Sequence, residues 1–294
     1  MEVFIQVMES GNFTRAADAL GMPRSTVSTV IQALEDRVGT QLLRRSTRQM
    51  MPTDEGQRFL RTAREIVDAV QDTDQMFRGD AARFRGKLRV DMPSRIGRRI
   101  VIPALPALLD ENPELEIEVS TTDRKIDLIS EGIDCLIRVG TLHDADIICR
   151  TLGDLRIITC ASPGYLERHG TPQTASDLSG HWMVNYGPRL SAEPPTFCYE
   201  GKNGLIDLQM RSRVAVNNAE SYIAAARAGL GLIQLPAYDV RYLLKREALV
   251  QVLPKLAPPP MQLSLLYAER RNVPARIIAF REWVQGLFRR KDVI

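Results

Sequence analysis

Residues 13–36 read Phe13-Thr-Arg-Ala-Ala-Asp-Ala-Leu20-Gly21-Met-Pro23-Arg-Ser-Thr-Val27-Ser28-Thr-Val-Ile31-Gln-Ala-Leu34-Glu-Asp36. The spacing predicts two short helices joined by a tight turn. Ala16, Ala17 and Leu20 belong to the first helix. Gly21 ends it, since glycine takes the left-handed backbone of such a turn without a side-chain clash. Pro23 suits the first turn of the next helix. There Val27, Ile31 and Leu34 face inward, and Arg24, Ser25, Ser28, Thr29 and Gln32 face outward. A small polar outer face fits a groove floor with few bad contacts, and its hydroxyls can meet phosphates or base edges. Taken alone, the same residues also describe an ordinary helical hairpin with one solvated face.

The flanking sequence weighs against that plainer account. Gly39-Thr-Gln-Leu42-Leu43-Arg44-Arg45-Ser-Thr-Arg48 places a short apolar anchor before a basic loop. Residues 23–52 hold five arginines (Arg24, Arg37, Arg44, Arg45, Arg48) against Glu35 and Asp36, a balance of +3. The rest of residues 1–56 holds Arg15 against Glu2, Glu9, Asp18, Asp54 and Glu55. Positive charge therefore concentrates where the second helix and the following loop would meet DNA. Every basic residue before Lys87 is arginine, the better side chain for bidentate phosphate and guanine contacts.

Residues 53–82 carry one long helical pattern. Phe59, Ala63, Ile66, Val70, Thr73 and Phe77 recur at alternating steps of four and three, an a/d stripe in which Thr73 alone is not apolar. Thr53 or Asp54 can cap its start. The helix links two regions, and charged residues flank the stripe (Arg58, Arg61, Arg64, Asp68, Asp72, Asp74). It is therefore expected to form a dimer seam, the alternative being a stripe packed on its own domain.

Near Phe84-Arg85-Gly86-Lys87 the period changes from helical to alternating. Strands are expected at Leu88–Met92, Leu115–Ser120, Ile133–Val139, Leu155–Ala161, Val214–Asn217 and Leu230–Leu235. Helices are expected from Ser94 to about Asp110 and at Arg124–Glu131, Ala219–Ala228 and Ala237–Lys245. Such alternation implies largely parallel sheets in two α/β lobes with a cleft between them, crossed by Thr159–Ser162 and Gln262–Tyr267.

These runs together resemble the LysR-type transcription regulators. Phe13–Leu20, Val27-Ser28, Leu34-Glu35, Gly39, Leu42-Leu43-Arg44-Arg45 and Thr53-Asp54-Glu55-Gly56 are similar to that family's winged helix-turn-helix. Ser162-Pro163-Gly164-Tyr165-Leu166 and Ala224–Pro236 resemble its sensor domain. The resemblance covers the whole chain and implies a multidomain fold. An all-α winged helix-turn-helix spans residues 1–56, and a linker and dimerisation helix spans 53–82. A two-lobed α/β effector domain, like a periplasmic binding protein, spans 88–294. Lobe I takes about 88–160 and 268–294, and lobe II about 163–262. Against the family's pattern the first helix lacks its first turn, so Glu2–Met8 is expected as its latter part.

The resemblance also implies roles. Residues 23–35 would be the recognition helix, with Arg24, Ser25, Ser28 and Thr29 in the major groove. Arg48 would enter the minor groove, where narrow A·T-rich DNA concentrates negative potential, and Arg44 and Arg45 would touch phosphates. The expected partners are double-stranded operator DNA, a second copy in a homodimer or tetramer, a small-molecule effector, and RNA polymerase. Dimers would set two recognition helices about 34 Å apart, so the operator should be an imperfect palindrome.

Ligands of two-lobed α/β domains bind in the crevice at strand C-termini. That rule selects Ser94, Thr122, Asp123, Arg138 and Gly140 in the first lobe, and the turn Pro188–Thr196, Asn218 and Gln234 in the second. A serine hydroxyl with unpaired helix N–H groups suits a carboxylate, and an arginine leaving an apolar strand suits an anion. The effector is therefore expected to be a small organic anion. For Ser94 the alternative is a plain helix cap, and for Arg138 an interlobe salt bridge.

Other function classes find little support. No GxGxxG, GxxxxGK[ST] or GxSxG run occurs, and His143, His169 and His181 lie in no recognised constellation, so no catalytic residue and no cofactor are expected. Cys135, Cys149, Cys160 and Cys198 show no CxxC or Cys/His spacing, so no metal site is expected. A thiol switch through Cys149 and Cys160, or another pair, is one rival reading. A cytoplasmic solute-binding protein is another, and residues 1–82 speak against it. No apolar run reaches the roughly 18 residues that span a bilayer, and residues 1–10 lack a signal-peptide pattern, so the cytoplasm is expected.

Overall fold

The computed structural model describes residues 1–45, 50–76, 86–124, 126–128, 131–140, 147–187, 193–202, 204–268 and 273–294. Its first three helices are α1 (Glu2–Ser10), α2 (Phe13–Leu20) and α3 (Arg24–Val38). Phe4, Val7, Ala16, Ala17, Val27 and Ile31 are buried together with Leu42, Leu43 and Leu60. Gly21 has φ +61 and its N–H returns to Ala17 and Asp18, closing α2 as the sequence requires. Strands β1 (Leu43–Arg45) and β2 (Met50–Pro52) pair antiparallel as the wing, between α3 and the long helix α4 (Asp54–Met76). Thr53 rather than Asp54 caps α4, its Oγ1 accepting from Gly56 N at 2.9 Å.

Glu35 ties the wing to the recognition helix. It is buried, and its Oε1 accepts the amide hydrogens of Leu42 and Leu43 at 2.8 and 3.0 Å. Two backbone donors that a short strand could not otherwise satisfy are thereby paired.

Beyond residue 85 the first lobe is built from β3 (Gly86–Met92), α5 (Ser94–Ile96), α6 (Leu105–Glu111), β4 (Leu115–Thr121), β5 (Cys135–Val139) and β6 (Ile147–Leu155). The second lobe follows with β7 (Ile157–Ala161), α7 (Pro163–His169), β8 (Asn185–Tyr186), β9 (Thr196–Gly201), β10 (Gly204–Gln209), β11 (Ala215–Val216), α8 (Ala219–Arg227), β12 (Ile233–Pro236), α9 (Ala237–Lys245) and β13 (Val250–Val252). Strand β14 (Met261–Ala268) and helix α10 (Ala275–Arg290) return to the first lobe. Among the described residues its sheet runs β4-β3-β5-β14-β6, parallel at β4-β3-β5 and antiparallel at β14.

Four expectations need correction. The helix from Ser94 changes form at a π-turn over Gly97–Val101 and a 3-10 turn over Ile102–Ala104, because Pro103 and Pro106 give no amide hydrogen to a regular ladder. Arg124–Glu131 is not a helix among its described residues. Ile126 and Leu128, two apart, both enter a small apolar cluster with Leu136 and Leu266, which helical spacing forbids. The second-lobe sheet β12-β7-β13 is antiparallel throughout. Its β12 and α9 are the strand and helix the sequence shows, and β13, which it does not, lies on the far side of β7 from β12. Finally, the chain passes between the sheets at Arg156 and again over residues 253–260. Thr159 pairs inside the second sheet, while Leu263–Tyr267 pair inside the first.

The DNA-binding end touches the first lobe through ion pairs. Glu9 of α1 accepts from both Arg89 guanidinium NH groups of β3 and, at 3.3 Å, from Arg64 of α4. Arg89 also pairs with Glu118 at 2.7 Å.

Gly56 fixes how closely α4 approaches the wing, for a Cβ there would lie 2.0 Å from the carbonyl oxygen of Leu42. Gly56→Ala is expected to destabilise the N-terminal domain by about 1–3 kcal/mol through overpacking. Urea unfolding of the full chain checks this; an unchanged midpoint would mean that α4 slides freely along the wing.

Candidate functional site: recognition helix and interlobe cleft

The outward face of α3 forms as its spacing predicts. Val27 and Ile31 are wholly buried, while Arg24, Ser25, Thr29 and Gln32 are exposed and Ser28 is partly so. Thr29 Oγ1 donates to the Ser25 carbonyl at 2.9 Å, and Gln32 Nε2 to Asp36 at 3.1 Å, so both side chains lie along the helix surface. Val30, which sequence reasoning passed over, is also exposed on α3. Arg44 is exposed on the wing. Arg45 is placed by its backbone in β1, whereas Arg48 lies outside the described residues.

The apolar stripe of α4 divides in two. Phe59 meets the Phe4 ring edge-on at 5.3 Å, and Ala63 is fully buried, so this half packs on its own chain. Ile66 and Val70 are 42% and 57% exposed, and no described residue covers them. The expected seam is corrected to that extent, because α1 packs against the N-terminal half of α4, from Phe59 to Arg64. Phe77 lies outside the described residues.

Between the lobes lies a cavity of about 250 Å³, bordered by Thr122, Arg138, Tyr186, Tyr222, Gln234 and Tyr238 among others. It shares Tyr186, Tyr222, Gln234 and Met261 with an adjoining cavity of about 540 Å³, which Glu193–Thr196 help to line; 188–192 lie outside the described residues. Tyr186 and Tyr222 face each other at 5.0 Å between centroids.

The expected effector residues have different occupations. Gln234 spans the cavities with a fully engaged amide: it accepts from Cys198 N and donates to Cys198 O at 2.8 Å and Thr159 Oγ1 at 3.2 Å. Thr122 donates to Asp91 at 3.1 Å. Asn218 caps α8, accepting from Ser221 N at 2.8 Å, and does not border the cavity. Gly140 closes β5 against Gln262 and likewise stands off the cavity.

The anion clamp needs correction. Arg138 donates to Asp91, a neighbour within its own lobe that is 0% exposed, and to the Ile137 carbonyl at 2.8 Å. Ser94 offers its N–H and Oγ to Asp123, at 2.9 and 3.0 Å. The sequence named neither Arg95 nor Asp239. Arg95 is 1% exposed and crosses the cleft to Asp239 Oδ1 and O, at 2.7 and 2.6 Å, and to Glu220 at 2.7 Å. Their charges lie 144 and 125 residues away along the chain, beyond the reach of any local pattern.

Residues 1–57 match the family described as bacterial regulatory helix-turn-helix protein, lysR family, and residues 81–289 match the LysR substrate binding domain. The chain belongs to the LysR family. It is 39% identical to the uncharacterized HTH-type transcriptional regulator YhjC of Escherichia coli, over 98% of this chain and 97% of that one. It is 31% identical to an HTH-type transcriptional repressor of Pseudomonas aeruginosa, over 98% and 91%. Its structure resembles that of CrgA, a LysR-type transcriptional regulator from Neisseria meningitidis, with TM-score 0.60 and 26% identity over 99% of this chain and 97% of that chain.

This LysR-family chain is thus a DNA-binding transcription regulator and not an enzyme. Among its described residues no helix is long and apolar enough to cross a membrane. Its four cysteines are free. Cys160 lies wholly buried in the second lobe, which pushes its thiol up to about 12, and Cys149 is exposed on the first-lobe sheet. A thiol held so far from ionisation is a poor redox partner.

In this regulator, burial outweighs the nearby Arg95 and holds the Asp239 carboxyl up at about 6. A carboxyl raised on folding stabilises the folded state below its unfolded value near 4, and that contribution is lost as pH rises through about 6. Asp239→Asn, which cannot ionise, should close its stability gap with wild type as pH rises from 4 to 7. Urea midpoints of both proteins across that range check the sign. A gap independent of pH would place the Asp239 titration elsewhere.

Proposed function

We propose that this chain is a ligand-responsive LysR-type regulator that reads a palindromic operator as a dimer or tetramer in the cytoplasm. The observation that carries the reading is the two-sided character of α3, with Val27 and Ile31 fully buried beneath an exposed row of Arg24, Ser25, Thr29 and Gln32. A helix so anchored presents its polar face to a groove without strain. Ser28 joins that row against base edges. Arg44 and Arg45 hold phosphates, and Arg48 enters the minor groove. The uncovered Ile66 and Val70 support dimerisation through the C-terminal half of α4.

The effector binds between Thr122, Tyr186, Tyr222 and Gln234 and favours one spacing of the lobes. It shifts the assembly only by its differential affinity for the two arrangements, and through DNA bending it changes the access of RNA polymerase. Selection of genomic fragments by the purified full chain, at fixed salt, tests the reading. One enriched palindromic site is the expected outcome; binding with no enriched site overturns it.

Two substitutions probe the parts. Arg24→Ala should cost about 1–3 kcal/mol on the selected site and relax its preference at one base; equal loss on every sequence would make Arg24 a phosphate contact. Ile66→Glu with Val70→Glu should give monomers in sedimentation and weaken operator binding. A persisting dimer would remove this seam.

A further inference from the structure

The seat that a ligand carboxylate would take is already filled. Asp123 accepts from Ser94 N at 2.9 Å, Ser94 Oγ at 3.0 Å and, across the cleft, Ala219 N at 3.0 Å. These are the helix-start donors that suit an anion, and one carboxylate of the chain itself engages all three.

The two cations bordering the cavity are engaged as well. Arg95 is held by Asp239 and Glu220, and Arg138 by Asp91. On the border Asp123 and Asp239 stand against Arg95 and Arg138; behind them Asp91 and Glu220 add two carboxylates and Arg98, on Glu220 at 3.3 Å, one cation, a balance of −1 with all ionised. The potential shows at Tyr186, whose hydroxyl is pushed up to about 12 by burial and then by Asp123 and Asp239. Asp91 Oδ2 is buried and accepts no hydrogen bond among the described residues. An entering anion would meet arginines already engaged by carboxylates, whereas a hydrogen-bond donor would meet acceptors.

The remaining border is apolar and aromatic. Tyr186 and Tyr222 stand tilted at 34°, beside Val139, Leu235 and Met261. We propose that this cleft takes a planar ring compound that carries hydrogen-bond donors and no carboxylate, Asp123 being the chain's own occupant of the anion seat. The proposal rests on the cleft being the effector site and names the chemistry that site accepts.

Calorimetric titration of the full chain with three probes of matched shape tests it: benzamide, benzamidine and benzoate. Benzamide and benzamidine should bind, with benzoate weaker than either by about tenfold. In Asp123→Asn, benzoate should gain on benzamide by a similar factor. Ser94→Ala removes a donor without changing charge and should leave the order of the three as in wild type.

Benzoate binding tightest to wild type would overturn the proposal while leaving the cleft an effector site. Should none of the three bind at millimolar concentration, the proposal falls as well; the fragment selection then decides the DNA-reading function separately. If Asp123→Asn does not fold, the wild-type order alone decides.

Discussion

A buried guanidinium ties the lobes of the sensor domain together. Arg95 leaves α5 at the edge of the first lobe and is almost wholly removed from water. A charge so buried is tolerable only when every nearby acceptor is well placed. Asp239 and Glu220, on two helices of the second lobe, supply those acceptors, and Arg99 lies over the Tyr242 ring at 4.3 Å to extend the contact. The cavity owes its walls to this arrangement, since Tyr238 and Asp239 sit on the helix that Arg95 holds. Separating the lobes would expose apolar surface and strip a buried cation of its partners together. A ligand that changes the spacing of the lobes must outweigh that cost by its differential affinity for the two spacings.

The N-terminal domain solves a different problem with the same economy. Its core is small, and three short helices and a two-stranded wing leave many backbone ends to satisfy. Glu35 meets two of them and joins the recognition helix to the wing. By charge count it opposes a DNA-binding face. By position it faces away from that face, buried among Val27, Ile31 and Leu42, where it orients the basic strand.

How much of this the sequence discloses depends on the range of the interaction. The helix-turn-helix is written in local spacing: Val27, Ile31 and Leu34 repeat at helical steps, and Gly21 stands where a left-handed residue is needed. The stripe of α4 is equally plain, but periodicity gives a face and not its neighbour, so nothing local shows that Phe59 meets Phe4 while Val70 meets no residue of that core. The cleft was legible as a place and illegible as chemistry. Thr122, Arg138 and Gln234 do border it. Yet the engagement of Arg138 by Asp91, 47 residues away, reverses what its charge can do. The strand β7, hidden inside the β12-α9-β13 unit, misleads for the same reason: order along the chain does not give order across the sheet.

One strand links the two ends of the molecule. Leu88, Val90 and Met92 of β3 point into the first-lobe core and are fully buried, which turns Arg89 and Asp91 to the other side. Arg89 grips Glu9 of the DNA-binding domain, and Asp91 grips Arg138 and Thr122 at the cavity. These contacts stand two residues apart on a rigid, centrally packed element, roughly 7 Å along the strand. Whatever repositions Arg138 or Thr122 alters the partners of Asp91. The neighbouring residue on that face meets the same displacement against α1 and α4. A path of this kind transmits a signal only if its ends have two arrangements.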